Sequence, residues 1–328
     1  LGADLPGSAV GLGCMGFSHA YGAPTENNEA IRSIRAAYDM GYTMFDTAET
    51  YGTAADPHEN EKLVGEALKD VRDKVQIVTK FGIGFDETST AVNKPLIPDS
   101  RPETIRGSVE GSLKRLGVDH IDLYFQHRMD PKMEPEVVAQ VMADLIQEGK
   151  ITHWGISEAS ETYLRRAHAV CPVTAVQNRY SMMARQHEAL FPVLEELNIG
   201  FVAFSPMANG LLTGAYGKEP AFDPKLDYRS AMPQFTPEGV EKNQELLQIL
   251  RDLSVEKRAT PAQISLAWMM CKKPYIVPIP GSRKVERMRE NAGAAEISLS
   301  ADEVAQIDHI LETVPMSAVF GGTAVRSR

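Results

Sequence analysis

The sequence predicts an α/β fold, a (β/α)8 TIM barrel, on three observations. Short apolar runs recur eight times, at 10–14, 43–46, 75–79, 121–125, 151–156, 173–177, 200–204 and 276–279. Stretches with helical spacing of apolar residues separate them, as in NNEAIRSIRAAYDM (27–40), PETIRGSVEGSLKRLG (102–117) and EPEVVAQVMADLIQEG (134–149). The length, 328 residues, exceeds an ordinary sandwich and suits one large barrel. Unbroken strand–helix alternation favours a closed parallel barrel over a doubly wound sheet, and residues 1–328 are expected to form a single domain.

The first run leads into GLGCMG (11–16), a literal match to the dinucleotide fingerprint GxGxxG. A loop, FSHAYGAPTEN, follows where that fingerprint needs a helix, so the glycines are read as easing a turn near a ligand. Glycines close several predicted helices, at Gly41, Gly117 and Gly149. The second run ends at Asp46, with Tyr51 in the turn beyond it; the third ends at Lys80 and the fourth at His127. Two connections are long, 82–100 and 205–237, and both leave the strands' C-terminal side, where loops shape a site or are ordinary surface. The tail 316–328 either packs near the mouth or hangs free.

Composition is that of a globular protein, 43% hydrophobic and 24% charged. A net charge of −10 argues against a broad nucleic-acid-binding face. No apolar run reaches the ~18 residues of a membrane span, and the N-terminus lacks the pattern of a secretory signal. Three cysteines, Cys14, Cys171 and Cys271, lack CxxC spacing and suggest neither a disulfide framework nor zinc. Cytoplasmic location is the expectation. Cys14 either approaches the mouth or is a buried inert thiol. No histidine shows metal-ligand spacing, and no metal is expected.

In a parallel barrel the C-terminal tips of the strands converge on one mouth. Asp46, Tyr51, Lys80 and His127 then meet as acid, phenol, amine and imidazole. Such a set delivers a proton to a carbonyl oxygen. A lysine cation lowers the pKa of a nearby tyrosine, and an aspartate keeps that lysine charged. A neutral His127 donates an N–H to the oxygen. Lys80 as a Schiff-base amine is the alternative. Separately, PGSRKVERMREN (280–291) sets Ser282, Arg283, Lys284 and Arg287 where a helix begins, which suits a phosphate; a plain Arg287–Glu290 surface pair is the other reading. Phe17, His19, Tyr21, Phe85 and Arg128 are candidate substrate contacts, Arg128 holding a carboxylate or else pairing with Asp130.

The motifs GLGCMG, FDTAETYG (45–52), IVTKFG (77–82), DLYFQHR (122–128), GISE (155–158), VQNRY (176–180), FSPMANGLLTG (204–214) and IPGSRKVERMREN (279–291) span nearly the whole chain. Together they resemble the aldo-keto reductases, nearest the bacterial, plant and fungal group with an LGCMG opening and an FGGT-like tail, here Phe320 to Thr323. The resemblance implies a barrel that binds NADP(H) across its C-terminal face and reduces aldehydes, ketones and reactive dicarbonyls. It makes Tyr51 the general acid beside Asp46, Lys80 and His127. Ser157 and Gln177 would hold the nicotinamide carboxamide and Phe204 would stack on its ring. Residues 205–214, Ser205, Pro206, Leu211 and Gly214 among them, would line the pyrophosphate. Gly281 joins the cofactor contacts, with Ser282, Arg283 and Arg287 at the 2′-phosphate and Glu290 and Asn291 at the adenine. The chain departs from many relatives at Glu158, where they carry Asn, at Phe204 for Tyr, and at Asn209 for Arg. A small carbonyl compound is the implied partner. An NADPH-binding regulatory subunit and a lyase using Lys80 are the rival functions.

Overall fold

The computed structural model describes residues 1–2, 5–90, 94–217 and 220–326. Ala91, Val92 and Asn93 of the predicted 82–100 loop, Lys218 and Glu219 of the 205–237 loop, and Ser327 and Arg328 of the tail lie outside the described residues.

The strands, in order, are β1 Leu12–Gly13, β2 Met44–Asp46, β3 Gln76–Phe81, β4 Ile83–Phe85, β5 Leu96–Pro98, β6 Ile121–Gln126, β7 Ile151–Ser157, β8 Ala175–Arg179, β9 Gly200–Phe204 and β10 Ile276–Pro278. Eight of them make one sheet in the order β1-β2-β3-β6-β7-β8-β9-β10, every pair parallel. The ends meet: Gly11 N–H donates to Pro278 O at 2.9 Å, and Gly13 bridges Gly281 in parallel. The barrel is therefore closed, and each of the eight predicted runs overlaps one of its strands. The glycines of GLGCMG serve this closure, and a 3-10 turn, Met15–Phe17, replaces the helix a dinucleotide fingerprint would open.

The helices form where amphipathic spacing and capping agree. Asn27–Asp39 buries Ala30, Ile34 and Ala37, one face at helical spacing, and Glu26 accepts the N–H groups of Asn28 and Glu29. Pro102–Leu116 starts on proline, buries Ile105, Val109 and Leu116, and ends at Gly117, whose φ of +65° needs glycine. Pro261–Lys272 opens with a capping box between Thr260 and Gln263. Among the described residues, no helix is long and apolar enough to cross a membrane.

Side chains alternate faces along a strand, and that alternation builds the barrel interior in layers. Met44, Val78, Leu123, Phe125, Ala175, Val202 and Val277 form a buried apolar cluster. Gly155 belongs to this layer without a side chain, because a Cβ there would meet the Phe125 ring at 2.3 Å. Two residues along each strand, the next inward positions are Asp46, Lys80, His127, Ser157, Gln177 and Phe204. The dry layer is a floor, and the polar layer is the bottom of the mouth.

The long connections carry structure of their own. β4 and β5 pair as an antiparallel hairpin in the 82–100 segment. The 205–237 segment contains 3-10 turns at Ala208–Thr213, Tyr228–Ala231 and Pro233–Phe235. The tail packs at the mouth: Leu96 N–H donates to Ala324 O at 2.7 Å, and Arg326 pairs with Asp86 at 2.9 Å. Trp154 is core, its indole donating to Cys171 O. Cys14 is a buried thiol whose pKa burial raises, and all three cysteines are free.

Candidate active site

A cavity of about 710 Å³ opens at the C-terminal end of the barrel. It runs as a groove from Tyr51 and His127 to Arg287 and Asn291. Lys80 lies beneath it, fully buried, and donates from Nζ to Asp46 Oδ1 and to Thr47 O, both at 2.6 Å. Burial works against that charge, but Asp46 and then Tyr51 outweigh it, so the ammonium is held above its ordinary range. Burial lifts the Asp46 carboxyl, and Lys80 pulls it back together with the Gln177 amide, which donates to Oδ2 at 2.8 Å. Each Asp46 oxygen thus accepts one donor, Oδ1 from Lys80 and Oδ2 from Gln177, and the Lys80–Asp46 pair is ionic.

Tyr51 sits above the lysine, Nζ being 4.9 Å from its ring centroid. Burial pushes the Tyr51 hydroxyl above its ordinary pKa, and Lys80 only partly opposes this. The sequence predicts a net lowering; the direction is the reverse, because desolvation of a phenolate outweighs a cation that Asp46 already neutralises. The His127 ring stands edge-on to Tyr51 at 5.7 Å. Burial holds its pKa well below the ordinary imidazole value, with Arg128 and Lys80 adding to the effect, so the ring is neutral. His127 Nδ1 is buried with no hydrogen-bond partner. His19 stacks on Tyr51 at 6.0 Å and touches Phe85 and Tyr228, which makes an aromatic wall.

Behind the Tyr51 turn lies an acid the sequence does not single out. Glu49 accepts from Gly82 N–H at 3.3 Å and from the Ser108 hydroxyl at 3.1 Å, tying that turn to the end of β3. Burial pushes its carboxyl up to about 7, with Glu61 adding and Ser108 and Arg115 opposing. A carboxyl raised from 4.5 binds more protons folded than unfolded. Its contribution favours the fold fully below pH 4.5 and is lost as pH rises through about 7. Glu49→Gln should therefore narrow the difference in melting temperature between pH 5 and pH 8. An unchanged difference in paired thermal melts would reject this assignment.

Further along the groove, Ser157 Oγ accepts from Arg128 at 3.1 Å and keeps its own O–H to donate. Gln177 uses its NH2 on Asp46 and keeps its carbonyl free to accept. Donor and acceptor together fit a carboxamide. Glu158 does not join them: its Oε1 accepts the Arg179 backbone N–H at 2.9 Å, and Oε2 faces His187 at 3.5 Å. Phe204, Ser205, Pro206, Gly281, Ser282, Arg283, Arg287, Glu290 and Asn291 all line the groove. Leu211 and Gly214 do not; the turn at Asn209 and Gly210 sends Leu211 into the core, and Asn209, Gly210 and Thr213 face the cavity instead. Asn209 donates to the Tyr21 hydroxyl at 2.7 Å.

At the far end Arg287 pairs with Glu290 at 2.6 Å, the helix-surface contact being formed. Arg283 donates to the carbonyls of Ala23 and Tyr21, clasping that loop, which also bridges Asp227. Arg128 does not pair with Asp130, whose carboxylate instead accepts from the backbones of Ser100 and Lys132. The cavity also includes Arg179, Tyr228, Arg229 and Phe320, none of which was given a role from the sequence. Arg179 was within reach, since it ends β8 on the same inward row as Gln177. Phe320 and Tyr228 come from distant chain segments and left no local signal.

A family model described as the aldo/keto reductase family matches residues 9–312. A probable aldo-keto reductase of Glycine max is 39% identical over 320 residues, 96% of this chain and 88% of that protein. The structure of a glycerol dehydrogenase from Gluconobacter oxydans aligns with a TM-score of 0.85 at 29% identity, covering 98% of this chain and 97% of that one. An aldo/keto reductase of Klebsiella pneumoniae, crystallised with NADP and acetate, shares the fold at a TM-score of 0.69 and 24% identity, covering 92% and 91%.

Proposed function

The chain belongs to the aldo-keto reductase family, oxidoreductases that act on carbonyls and use NADP(H), and from that premise we propose that it reduces aldehydes and ketones, reactive dicarbonyls among them, with Tyr51 as the proton donor. The observation that carries this reading is the Lys80 ammonium, ion-paired to Asp46 and buried directly under a tyrosine that faces the groove.

The residues fit the cofactor. Ser157 and Gln177 would hold the carboxamide, Phe204 would offer a ring face, and Ser282, Arg283, Lys284 and Arg287 would supply donors and positive charge at the phosphate end. When bound, the reduced nicotinamide supplies a hydride to the carbonyl carbon. The carbonyl oxygen then gains charge and needs a proton. Tyr51 gives it, and the phenolate left behind is stabilised by Lys80 until solvent returns the proton. His127 is neutral and its Nδ1 is enclosed, so Nε2–H is the donor that orients the oxygen. The balance is one hydride and one proton added across C=O, giving an alcohol and NADP+.

Lys80 as a Schiff-base amine fits poorly. A nucleophilic amine needs a free lone pair, and this nitrogen is a fully buried cation held by two acceptors. The reading is tested by following NADPH oxidation with a panel of aldehydes, ketones and dicarbonyls. A wild-type protein that binds NADPH and reduces none of them would sink it in favour of a regulatory binder. The 2′-phosphate assignment makes its own prediction. Arg287→Ala should weaken NADPH by about tenfold or more, the scale of one charge-assisted hydrogen bond, and NADH far less. An unchanged NADPH/NADH ratio in fluorescence titrations would move the 2′-phosphate elsewhere.

A further inference from the structure

Two arginines at the chemical end of the groove have no role in the mechanism above. Arg128 directly follows His127, and Arg179 is the last residue of β8. Arg128 spends Nη1 on His127 O at 2.6 Å and Ser157 Oγ at 3.1 Å. Arg179 donates to Phe320 O and lies 5.2 Å from the Phe204 ring centroid and 5.5 Å from that of Phe320. Among the described residues, neither guanidinium has a carboxylate within ion-pair distance. Glu158 is the acid whose field reaches both, and its two oxygens are turned to the Arg179 backbone and to His187. The other charges near Arg128, Lys80 and Asp46, neutralise each other. Two partly or wholly buried cations that repel one another share the field of a single acid, so the cluster keeps a net positive charge that an arriving anion would offset.

We propose that Arg128, backed by Arg179, is a specificity-determining site for a carboxylate on the substrate, so that the favoured substrates are oxo-acids. This rests on the reductase reading. The anion is assigned to the substrate and not to the cofactor by position. Phosphate-binding cations lie at the opposite end, at Arg283, Lys284 and Arg287. Arg128 touches His127 and Ser157, and the cofactor group that Ser157 would hold is an uncharged carboxamide. A carboxylate on Arg128 leaves the carbonyl beside His127 and Tyr51, which calls for few bonds between the two groups. The guanidinium fork matches a carboxylate in a way an ammonium does not.

The test compares glyoxylate and 4-oxobutanoate, each against the uncharged aldehyde of equal carbon number, acetaldehyde or butanal. Kinetics are measured for the wild type, Arg128→Ala and Arg128→Lys, with NADPH affinity and a thermal melt for each. The wild type should favour at least one oxo-acid over its match by about tenfold or more in kcat/KM. Arg128→Ala should erase that ratio, chiefly through the KM of the oxo-acid, and Arg128→Lys should keep part of it. No preference in the wild type, or a preference that survives Arg128→Ala, overturns the proposal. So does a loss in Arg128→Ala that tracks weakened NADPH binding, which would give the cation to the cofactor. If the wild type reduces no carbonyl, succinate is titrated into the NADP+-loaded protein by calorimetry. Saturable binding lost in Arg128→Ala upholds the carboxylate site while the reductase reading falls; no binding overturns the site as well.

Discussion

Tyr51→Phe removes nearly all carbonyl reduction and leaves NADPH binding nearly as it was. The substitution deletes one hydroxyl and keeps the ring that His19 and His127 pack against. Lys80 keeps its bonds to Asp46 and Thr47, so the buried ion pair survives and the fold is not at risk. What is lost is the group between the lysine and the groove that can both give a proton and leave a charge for Lys80 to stabilise. General acid catalysis is worth about 10²–10⁴-fold, and kcat should fall on that scale. The measurement is kcat with a reactive aldehyde beside a fluorescence titration of NADPH. Equal turnover by the variant would end the general-acid assignment. A parallel loss of NADPH affinity would mean that Tyr51 shapes the cofactor site instead.

The barrel was legible because its two periods are local. Apolar runs such as 121–125 and helical faces such as Ala30, Ile34 and Ala37 lie within one element, and each shows its pattern without reference to any other. The tips of strands were legible for the same reason, since Asp46, Lys80 and His127 each end a run. The tip of β8 carries the same signal at Arg179, which strand alternation sets two residues beyond Gln177. The direction of the Tyr51 shift was not legible, because it depends on how much water the closed mouth excludes. His19 covers the Tyr51 ring and is itself packed by Phe85 and Tyr228, which arrive from a hairpin and a long loop. Glu49 was hidden for a related reason: an acid in a polar turn reads as exposed until Ser108 and Gly82 fold over it. Leu211 was misplaced because a left-handed turn at Asn209 and Gly210 reverses the facing that a regular turn would give it.

Lys80→Met should cost both activity and stability, and the second loss separates the lysine's two roles. Asp46 is 4% exposed, and without Lys80 its carboxylate keeps only the Gln177 amide. Breaking a buried ion pair by removing one partner costs about 3–5 kcal/mol, because the remaining charge stays out of water. Asp46→Asn in the same chain removes that charge, so the double variant should recover much of the stability that the single variant loses. Activity should not return, since no cation remains to stabilise the Tyr51 phenolate. Urea unfolding of the wild type, both single variants and the double variant measures the coupling directly. A double variant no more stable than Lys80→Met would mean that the ion pair contributes little and that Lys80 matters through packing alone. A folded but inactive double variant places the catalytic need for charge at position 80 apart from its structural need.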